Sequence, residues 1–188
     1  MNTIRSLVNP SIILVEPQLG ENIGMVARAM LNCELTDLRL VRPRDSWPNE
    51  KAKSAASGAD LVLDNAKIFH STSDAISDLN LVYAATARDR DMTKLIISPT
   101  QAAREVVDAG SKTCGVIFGS EASGLSNDDV ALADSTLLIP TNPSFPSLNL
   151  AQAVLIFAHE LYTIKTSQLP TRLTMQASRP AEKKEILG

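Results

Sequence analysis

Glycine, proline and polar side chains are concentrated in four segments of the sequence, and each segment follows a short apolar run. Glycine lets a backbone approach a ligand closely, while carboxylate, amide and guanidinium groups can orient a ligand or stabilise developing charge. Together the segments predict a site that wraps a small ligand, although each alone is also typical of a solvated loop or a helix start. They are EPQLGENIGMVAR (16–28), AATARDRDMTK (84–94), FGSEASGLSNDDV (118–130) and IPTNPSFPSLN (139–149).

In the first segment, Gly20 and Gly24 flank Asn22, and Arg28 lies one helical turn after Gly24. Gly20 permits a tight turn. Gly24 permits close backbone approach at a helix start, where free N–H groups favour an anion such as phosphate. The alternative is a helix start softened by glycine, with a solvated arginine.

The second segment combines small side chains, which leave room for a flat ring, with a basic edge suited to phosphates. A solvated loop is the alternative and, from these residues alone, the better interpretation. The small residues are Ala84, Ala85 and Ala87, and the basic residues are Arg88, Arg90 and Lys94.

In the third segment, Gly119 and Gly124 bracket Glu121, and Ser126 or Asn127 is placed to cap the next helix. The glycines let the backbone wrap a ligand, and Glu121 can accept a hydrogen bond from it. Neither the G-x-G-x-x-G dinucleotide fingerprint nor the Gly-Lys-Ser/Thr ending of a phosphate-binding loop is present. A nucleotide hydrolase is therefore disfavoured.

The fourth segment leads into a strongly apolar helix. Pro146 stops the preceding backbone from being helical and Ser147 is a suitable N-cap, so we expect the helix to begin at Leu148. Asn149 is then a poor helix former inside the first turn. A rigid loop of small residues suits a shaped ligand site, but most helices of this kind belong only to a core.

The elements that must position these segments alternate between apolar strands and helices. This alternation predicts an α/β fold with a mostly parallel sheet flanked by helices, and ligands then bind beyond the carboxyl ends of the strands. LVLDNAKIF (61–69) is a candidate further strand. The predicted strands are 11–16, 38–41, 81–86, 114–119 and 135–140, and the predicted helices are 21–32, 50–59, 98–109, 127–133 and 148–165.

Composition describes one soluble domain of 188 residues with a formal net charge of -3. No apolar run reaches membrane-spanning length and no signal-peptide core is present, so we expect a cytoplasmic protein. Cys33 and Cys114 are expected to be buried small hydrophobes. With only two histidines, His70 and His159, the spacing is not that of a zinc site and no metal is expected.

Three motifs taken together resemble those of the SPOUT, or trefoil-knot, RNA 2'-O-methyltransferases of the TrmH class. They are N-x-G-x-x-x-R in ENIGMVAR, F-G-x-E-x-x-G-L in FGSEASGL, and I-P…S-L-N-L-A-x-A-V in IPTNPSFPSLNLAQAV. Within that class the sequence looks most like the TrmJ-type tRNA (cytidine/uridine-2'-O-)-methyltransferases. The resemblance extends from about Ser11 to Lys165.

The resemblance implies a Rossmann-like α/β fold with a deep C-terminal trefoil knot, S-adenosyl-L-methionine as cofactor, RNA (by analogy tRNA) as substrate, and a homodimer with the site at the subunit interface. It also implies residue roles. The catalytic or RNA-orienting set would be Asn22, Arg28, Glu121, Ser147 and Asn149. The cofactor-binding set would be Ala85, Thr86, Ala87, Gly119, Ile139, Ser147, Leu148 and Asn149.

The same resemblance implies methylation of a cytidine or uridine in the tRNA anticodon loop. The alternatives are ribosomal RNA as substrate, a catalytically silent knotted RNA-binding dimer, and, without the resemblance, a flavodoxin-like small-molecule enzyme. The acidic net charge requires local basic patches for RNA binding, whereas solubilising surface charge is an equal alternative. The candidate residues are Arg39, Arg42, Arg44, Lys51 and Lys53, with Arg88, Arg90 and Lys94.

The change in composition after Lys165 divides the chain. We expect residues 1–166 to form the methyltransferase domain. Residues 167–188 are polar, proline-marked and partly basic, so we expect a linker or the start of a C-terminal extension. In TrmJ-type enzymes such an extension helps to bind tRNA.

Overall fold

The computed structural model describes residues 9–86, 94–110 and 112–166. Strands and helices alternate along the chain, as the sequence predicts. The strands are β1 (Ser11–Val15), β2 (Leu38–Val41), β3 (Lys67–Phe69), β4 (Leu81–Ala85), β5 (Ile96–Ile97), β6 (Cys114–Phe118) and β7 (Ser135–Leu137). The helices are α1 (Gly20–Asn32), α2 (Glu50–Ala56), α3 (Asp60–Asp64), α4 (Thr72–Ile76), α5 (Pro99–Asp108), α6 (Asn127–Ala131) and α7 (Leu150–Lys165).

The seven strands form one sheet in the order β3-β2-β1-β6-β4-β7-β5, and each neighbouring pair is parallel. All strand carboxyl ends therefore meet at the same edge. The chain runs outward from β1 to β3 on one side and then fills the other side through β4, β6 and β7. Ligands of open parallel sheets bind at this edge, close to such a reversal of strand order.

Apolar residues on both faces of the strands explain the layered fold. Within β1, Ile12 and Leu14 pack into the core on one face, while Ile13 and Val15 pack into the core on the other. The first core is covered by α1, α2, α3, α5 and α7, and the second by α4 and α6. Burial on two faces is typical of parallel strands and removes the apolar–polar alternation of a half-exposed sheet.

Most of the predicted elements are confirmed, and the differences concern short ones. Residues 11–15, 38–41, 81–85, 114–118 and 135–137 are strands as expected. The candidate strand 61–69 is wrong in its first half, where α3 lies, and right at Lys67–Phe69. The sequence did not indicate α4 or the two-residue β5, because such short elements carry too little periodicity.

The start of α7 corrects the predicted cap. Asn149, and not Ser147, is the N-cap, and the helix begins at Leu150. The Asn149 side chain accepts a hydrogen bond from the backbone N–H of Ala151 at 2.9 Å, and the Asn149 backbone N–H donates to Gln152 Oε1 at 3.1 Å. Asparagine is therefore in a capping position that it favours, and not inside the first turn.

Arg39 also corrects a prediction, because it is buried and cannot belong to an RNA-binding patch. Its guanidinium binds Asp37 Oδ2 at 3.0 Å, both carboxylate oxygens of Asp78, and the carbonyl of Ala75. Burial alone would raise the pKa of Asp37, but hydrogen bonds from Ser11 and Arg39 lower it below its ordinary value. Arg39 is therefore a structural ion-pair residue on β2.

Replacing Arg39 with methionine is expected to destabilise the fold by about 3 kcal/mol, because Asp37 is left without its main partner. Stability that depends on carboxyl groups with lowered pKa values is present at neutral pH and is lost as the pH falls through those values. Urea unfolding at pH 7 and at acidic pH measures the free energy of unfolding of wild type and of Arg39→Met. The difference between the two proteins is expected to shrink on acidification. A difference independent of pH would contradict this account.

No helix in the described ranges is long and apolar enough to cross a lipid bilayer. The predicted tail, residues 167–188, lies outside the described part of the chain.

Candidate functional site

A cavity of about 360 Å³ opens at the carboxyl edge of the sheet. The segments after β4, β6 and β7 and the start of α7 form its walls, so it lies on the side of the sheet where strand order reverses. Its lining residues are Ala85, Thr86, Phe118, Gly119, Ser120, Glu121, Ala122, Ser123, Gly124, Leu125, Leu137, Ile139, Pro146, Ser147, Leu148, Leu150 and Ala153.

The lining is largely apolar, with hydroxyl groups and one carboxylate. Leu125, Leu137 and Ile139 come from two different strand-end segments and offer surfaces against which a flat ring can pack. The charged side chain among the described lining residues is that of Glu121, an anion. An apolar cavity with a few polar groups is typical of small-molecule sites, and a carboxylate favours a cationic ligand over a phosphate.

The segment after β6 folds back tightly on itself and forms one wall. The backbone N–H of Gly124 donates to the carbonyl of Ser120 at 2.9 Å, and the Ser120 and Ser123 hydroxyl oxygens lie 2.8 Å apart. Gly124 has a φ of 69°, in the left-handed region that favours glycine. A Cβ atom on Gly119 would lie 2.1 Å from the Gly124 carbonyl carbon, so glycine is required where the two backbones touch.

Gly119→Ala is therefore expected to push this loop out of place and to weaken ligand binding in the cavity about tenfold or more, the size of an ordinary overpacking strain. Isothermal titration with S-adenosylhomocysteine measures the effect. Gly58→Ala is a control for glycine strain without a close contact, because Gly58 has a φ of 91°, has open space at its Cβ position and does not line the cavity. Equal affinities in wild type and Gly119→Ala would contradict the role assigned to this close contact.

Glu121 joins the cavity to the start of α1. Its carboxylate accepts hydrogen bonds from the backbone N–H groups of Gln18 at 2.9 Å and Leu19 at 3.4 Å, and from Asn22 Nδ2 at 2.7 Å. Backbone N–H groups before a helix attract anions, and here the anion is a side chain of the protein itself. Glu121 therefore fixes the segment between β1 and α1 against the wall of the cavity.

Asn22 extends this network to α7. The Asn22 side chain is buried, and its Oδ1 accepts a hydrogen bond at 3.0 Å from Asn149 Nδ2. One amide thus donates to Glu121 and accepts from Asn149, while Asn149 also caps α7. The three residues of the predicted catalytic set that meet here act as a clamp between the starts of α1 and α7 and the wall of the cavity.

Arg28 lies outside the cavity of its own chain. It is exposed and does not line the cavity, and its Nη1 donates a long hydrogen bond of 3.4 Å to Ser57 Oγ, next to the end of α2. The structure therefore separates Arg28 from Ser147, which does line the cavity. The spacing within α1 places Arg28 on the side of Gly24 and not on that of Asn22, but it carries no information on where Ser147 lies relative to α1.

Gly20 and Gly24 lie where α1 packs against α2 and the residue that caps it. A Cβ on Gly24 would lie 2.1 Å from the carbonyl oxygen of Ala52 in α2, and one on Gly20 would lie 2.3 Å from Asn49 Oδ1. The close approach predicted at Gly24 is therefore made by α2 and not by an anion. Their lack of a side chain lets α1 and α2 pack closely.

Besides Arg39, two of the predicted basic residues are engaged by the protein itself. Lys94 Nζ donates to the carbonyls of Ala131 and Ala133 at the end of α6, and Arg42 pairs with Glu16 at 3.0 Å. Among the remaining candidates, Arg44, Lys51 and Lys53 are exposed, and Lys51 lies 3.6 Å from Glu21. Arg88 and Arg90 lie outside the described residues. RNA binding by the exposed lysines and arginines stays a prediction.

Of the residues predicted to bind the cofactor, six line the cavity: Ala85, Thr86, Gly119, Ile139, Ser147 and Leu148. Asn149 supports the wall without lining it, and Ala87 lies outside the described residues. Sequence reasoning did not single out Ser120, Ser123, Leu125 or Leu150 as lining residues. The sequence could have indicated them, because they lie next to the glycines and close to Ser147 within the same two motifs.

Residues 9–159 match the model of the SpoU rRNA Methylase family. A protein of Methanocaldococcus jannaschii named tRNA (cytidine-2'-O-)-methyltransferase TrmJ is 34% identical over 180 residues, which cover 94% of this chain and 77% of that protein. Several bacterial relatives are longer, and the chain spans 63% to 68% of their length.

Solved structures resemble the fold closely. TrmJ from Z. mobilis ZM4 is 54% identical with a TM-score of 0.78, over 81% of this chain and 68% of that one. A second structure, described as giving insight into 2-OH methylation of C/U34 on tRNA, is 27% identical with a TM-score of 0.66, over 84% of this chain and 97% of that one.

Proposed function

Because the chain belongs to the SpoU rRNA Methylase family, we propose that it is an S-adenosylmethionine-dependent methyltransferase that modifies the ribose 2'-hydroxyl of a cytidine or uridine in tRNA. The observation that carries the proposal is the cavity at the carboxyl edge of the sheet, built from the family's motif segments. The names of the tRNA-methylating relatives support the reaction and the class of RNA.

The side chains and backbone groups that line the cavity fit this cofactor. Its apolar surfaces suit an adenine ring, its backbone and hydroxyl groups suit ribose and amino-acid polar atoms, and the Glu121 carboxylate suits a cationic ligand. When bound, S-adenosylmethionine supplies an electrophilic methyl group on a sulfonium. The residues proposed to hold it are Ala85, Thr86, Ala87, Gly119, Ile139, Ser147, Leu148 and Asn149, the last through its support of the loop.

The chain's remaining task is to orient the acceptor hydroxyl and to stabilise the oxygen as it loses its proton. Effective alignment alone accounts for a large part of such rate enhancements. Arg28 is proposed to grip the phosphate beside the target ribose and to stabilise the developing alkoxide, since a guanidinium is a strong donor but a poor base. Ser147, at the cavity, is a candidate to receive the proton.

A homodimer is part of the proposal, because Arg28 and the cavity of its own chain are separate. A partner copy could place its Arg28 at the mouth of the cavity. Exposed apolar side chains on packed elements support this arrangement: Leu19 before α1, Met25 on α1 and Leu155 on α7 are 44%, 39% and 40% exposed. Because α1 packs against α7, burial of these exposed apolar side chains by a second copy would favour association.

The family's trefoil knot is likewise proposed for the segment after β7. β7 lies between β4 and β5, and the chain then runs along the cavity beside the folded-back loop after β6 before α7 packs against α1 and α5. This path supports threading of the C-terminal part, which ordinary connections avoid.

The target proposed is the pyrimidine that opens the anticodon loop, because unpaired loop nucleotides expose their ribose and base to a protein. A tRNA substrate would place the activity in the cytoplasm. Residues 1–166 are proposed to form the catalytic domain, and residues 167–188 are proposed as a linker or the start of an RNA-binding extension.

Transfer of labelled methyl from S-adenosylmethionine to unmodified bulk tRNA and to rRNA tests the proposal. Labelling of tRNA supports the proposal. Labelling of rRNA alone would show that the substrate is rRNA and not tRNA. S-adenosylhomocysteine binding without transfer to either RNA would favour the catalytically silent RNA-binding alternative. Binding of flavin in place of S-adenosylhomocysteine would contradict the proposed cofactor.

A further inference from the structure

Phe145 differs in exposure from the other aromatic side chains. The chain has four phenylalanines, two tyrosines and one tryptophan, and all of them lie in the described ranges. Phe145 is 74% exposed, whereas each of the others is buried or half-buried. A single exposed apolar residue is common on proteins, so its position and its support decide whether it has a function.

The turn that carries Phe145 has a defined shape. The Phe145 backbone N–H donates to the carbonyl of Asn142 at 2.8 Å, and the Ser144 backbone N–H donates to Asn142 Oδ1 at 3.0 Å. Pro143 and Pro146 fix further backbone angles on either side. The ring is thus presented to solvent from a turn that has little conformational entropy left to lose on binding.

The turn lies at the rim of the cavity. The three residues that follow Phe145, namely Pro146, Ser147 and Leu148, line the cavity, whereas Phe145 itself does not. Apolar surface for the cofactor ring is already supplied from inside by residues such as Leu137 and Ile139. The Phe145 ring is therefore available to a molecule that approaches the mouth of the cavity from outside.

We propose that Phe145 stacks on the base of the nucleotide that is methylated, an inference that rests on the proposed function. A ribose hydroxyl that reaches the cavity brings its base to the rim, and this base has lost stacking with its neighbours in the RNA. Aromatic side chains replace such stacking and discriminate little between pyrimidines. Phe145 is then a substrate-positioning residue at the mouth of the cavity.

Kinetics of three variants test the shape of the contact. Phe145→Leu keeps an apolar side chain but removes the flat ring, and kcat/KM for tRNA is expected to fall about tenfold, the size of one base–aromatic stack. In Phe145→Ala, kcat/KM is expected to fall at least as much. In Phe145→Tyr, which keeps an aromatic ring, kcat/KM is expected to stay close to that of wild type. S-adenosylhomocysteine affinity and the sedimentation coefficient are expected to stay those of wild type in all three.

Other outcomes overturn the inference. Wild-type kinetics in Phe145→Leu would show that the ring is not needed. Loss of S-adenosylhomocysteine affinity would assign Phe145 to the cofactor, and a shift from dimer to monomer would assign it to the contact between two copies.

A fluorescence titration separates this inference from the proposed function. In a Trp47→Phe, Phe145→Trp double variant the single indole is at position 145, since Trp47 is the chain's one tryptophan. Unmodified tRNA, added with S-adenosylhomocysteine, is expected to quench it by stacking. If wild type methylates no RNA, the proposed reaction is wrong. Quenching of the indole by RNA would then still support the stacking contact. Absence of quenching by tRNA and by rRNA would overturn the contact.

Discussion

Replacement of Arg28 with alanine is expected to lower kcat for ribose methylation by about 10²- to 10³-fold, the usual cost of removing one donor that stabilises a developing oxyanion. The fold and the cofactor site are expected to be unaffected, because Arg28 is exposed, does not line the cavity and makes a long hydrogen bond of 3.4 Å to Ser57 Oγ. Single-turnover methylation and S-adenosylhomocysteine titration measure the two properties separately.

Arg28→Lys distinguishes charge from geometry. Lysine keeps the positive charge but loses the planar fork that binds two phosphate oxygens, so we expect a rate close to that of Arg28→Ala. Arg104→Ala, which removes another exposed arginine from α5, is the control for a general loss of positive charge. Near-normal activity in Arg28→Lys would contradict a role that depends on the guanidinium plane.

Mixing two impaired chains, one with weakened catalysis and one with weakened cofactor binding, tests whether Arg28 acts on its partner's cavity. If each site takes Arg28 from one chain and the cavity from the other, a dimer of Arg28→Ala and Gly119→Ala contains one intact site. At saturating RNA, and at a cofactor concentration too low to fill the Gly119→Ala cavity, random mixing then restores roughly a quarter of wild-type activity, because half of the dimers are mixed and each has one working site. No recovery above the separate variants would place the complete site within one chain.

Replacement of Glu121 with glutamine is expected to destabilise the protein by about 2 kcal/mol and to weaken both cofactor binding and catalysis. The carboxylate accepts from three N–H groups, those of Gln18, Leu19 and Asn22, and uses both oxygens. A glutamine amide turns one acceptor into a donor, so that at least one of these groups faces another donor. The start of α1 is then no longer fixed to the cavity wall.

Thermal unfolding and S-adenosylhomocysteine titration check this expectation, and the loss corresponds to a drop of about 6 °C in Tm for a chain of this size. Glu21→Gln is the matched control, because Glu21 carries the same charge on α1 but has only a distant ion pair with Lys51, at 3.6 Å. Unchanged Tm and affinity in Glu121→Gln would show that the clamp is not needed for the shape of the site.

The sequence predicted the central strands well and the side-chain network poorly. Apolar residues on both faces make strands such as Ser11–Val15 recognisable without any tertiary information. The contacts from Asn22 to Glu121 and to Asn149 join residues 99 and 127 positions apart, so no local spacing encodes them. For the same reason Arg39 looked like a surface cation, although Asp78, its partner, lies 39 positions away.

Asn149 shows why the helix start was misplaced. Ser147 and Asn149 are both suitable N-caps, and the local sequence does not decide between them. Gln152 completes a capping box with Asn149, and Asn22 accepts a hydrogen bond from the side-chain amide of Asn149. Tertiary contact therefore selects the later residue and leaves Ser147 at the cavity, where the resemblance to the TrmH class also required it.

The most direct measurement is identification of the product nucleoside. Unmodified tRNA is incubated with the chain and S-adenosylmethionine carrying a labelled methyl, digested completely, and analysed by mass spectrometry beside the Arg28→Ala reaction. With wild type, the label is expected on ribose, in 2'-O-methylcytidine or 2'-O-methyluridine, and it is expected to fall steeply with Arg28→Ala. Label on a base, or equal labelling with both proteins, would contradict it.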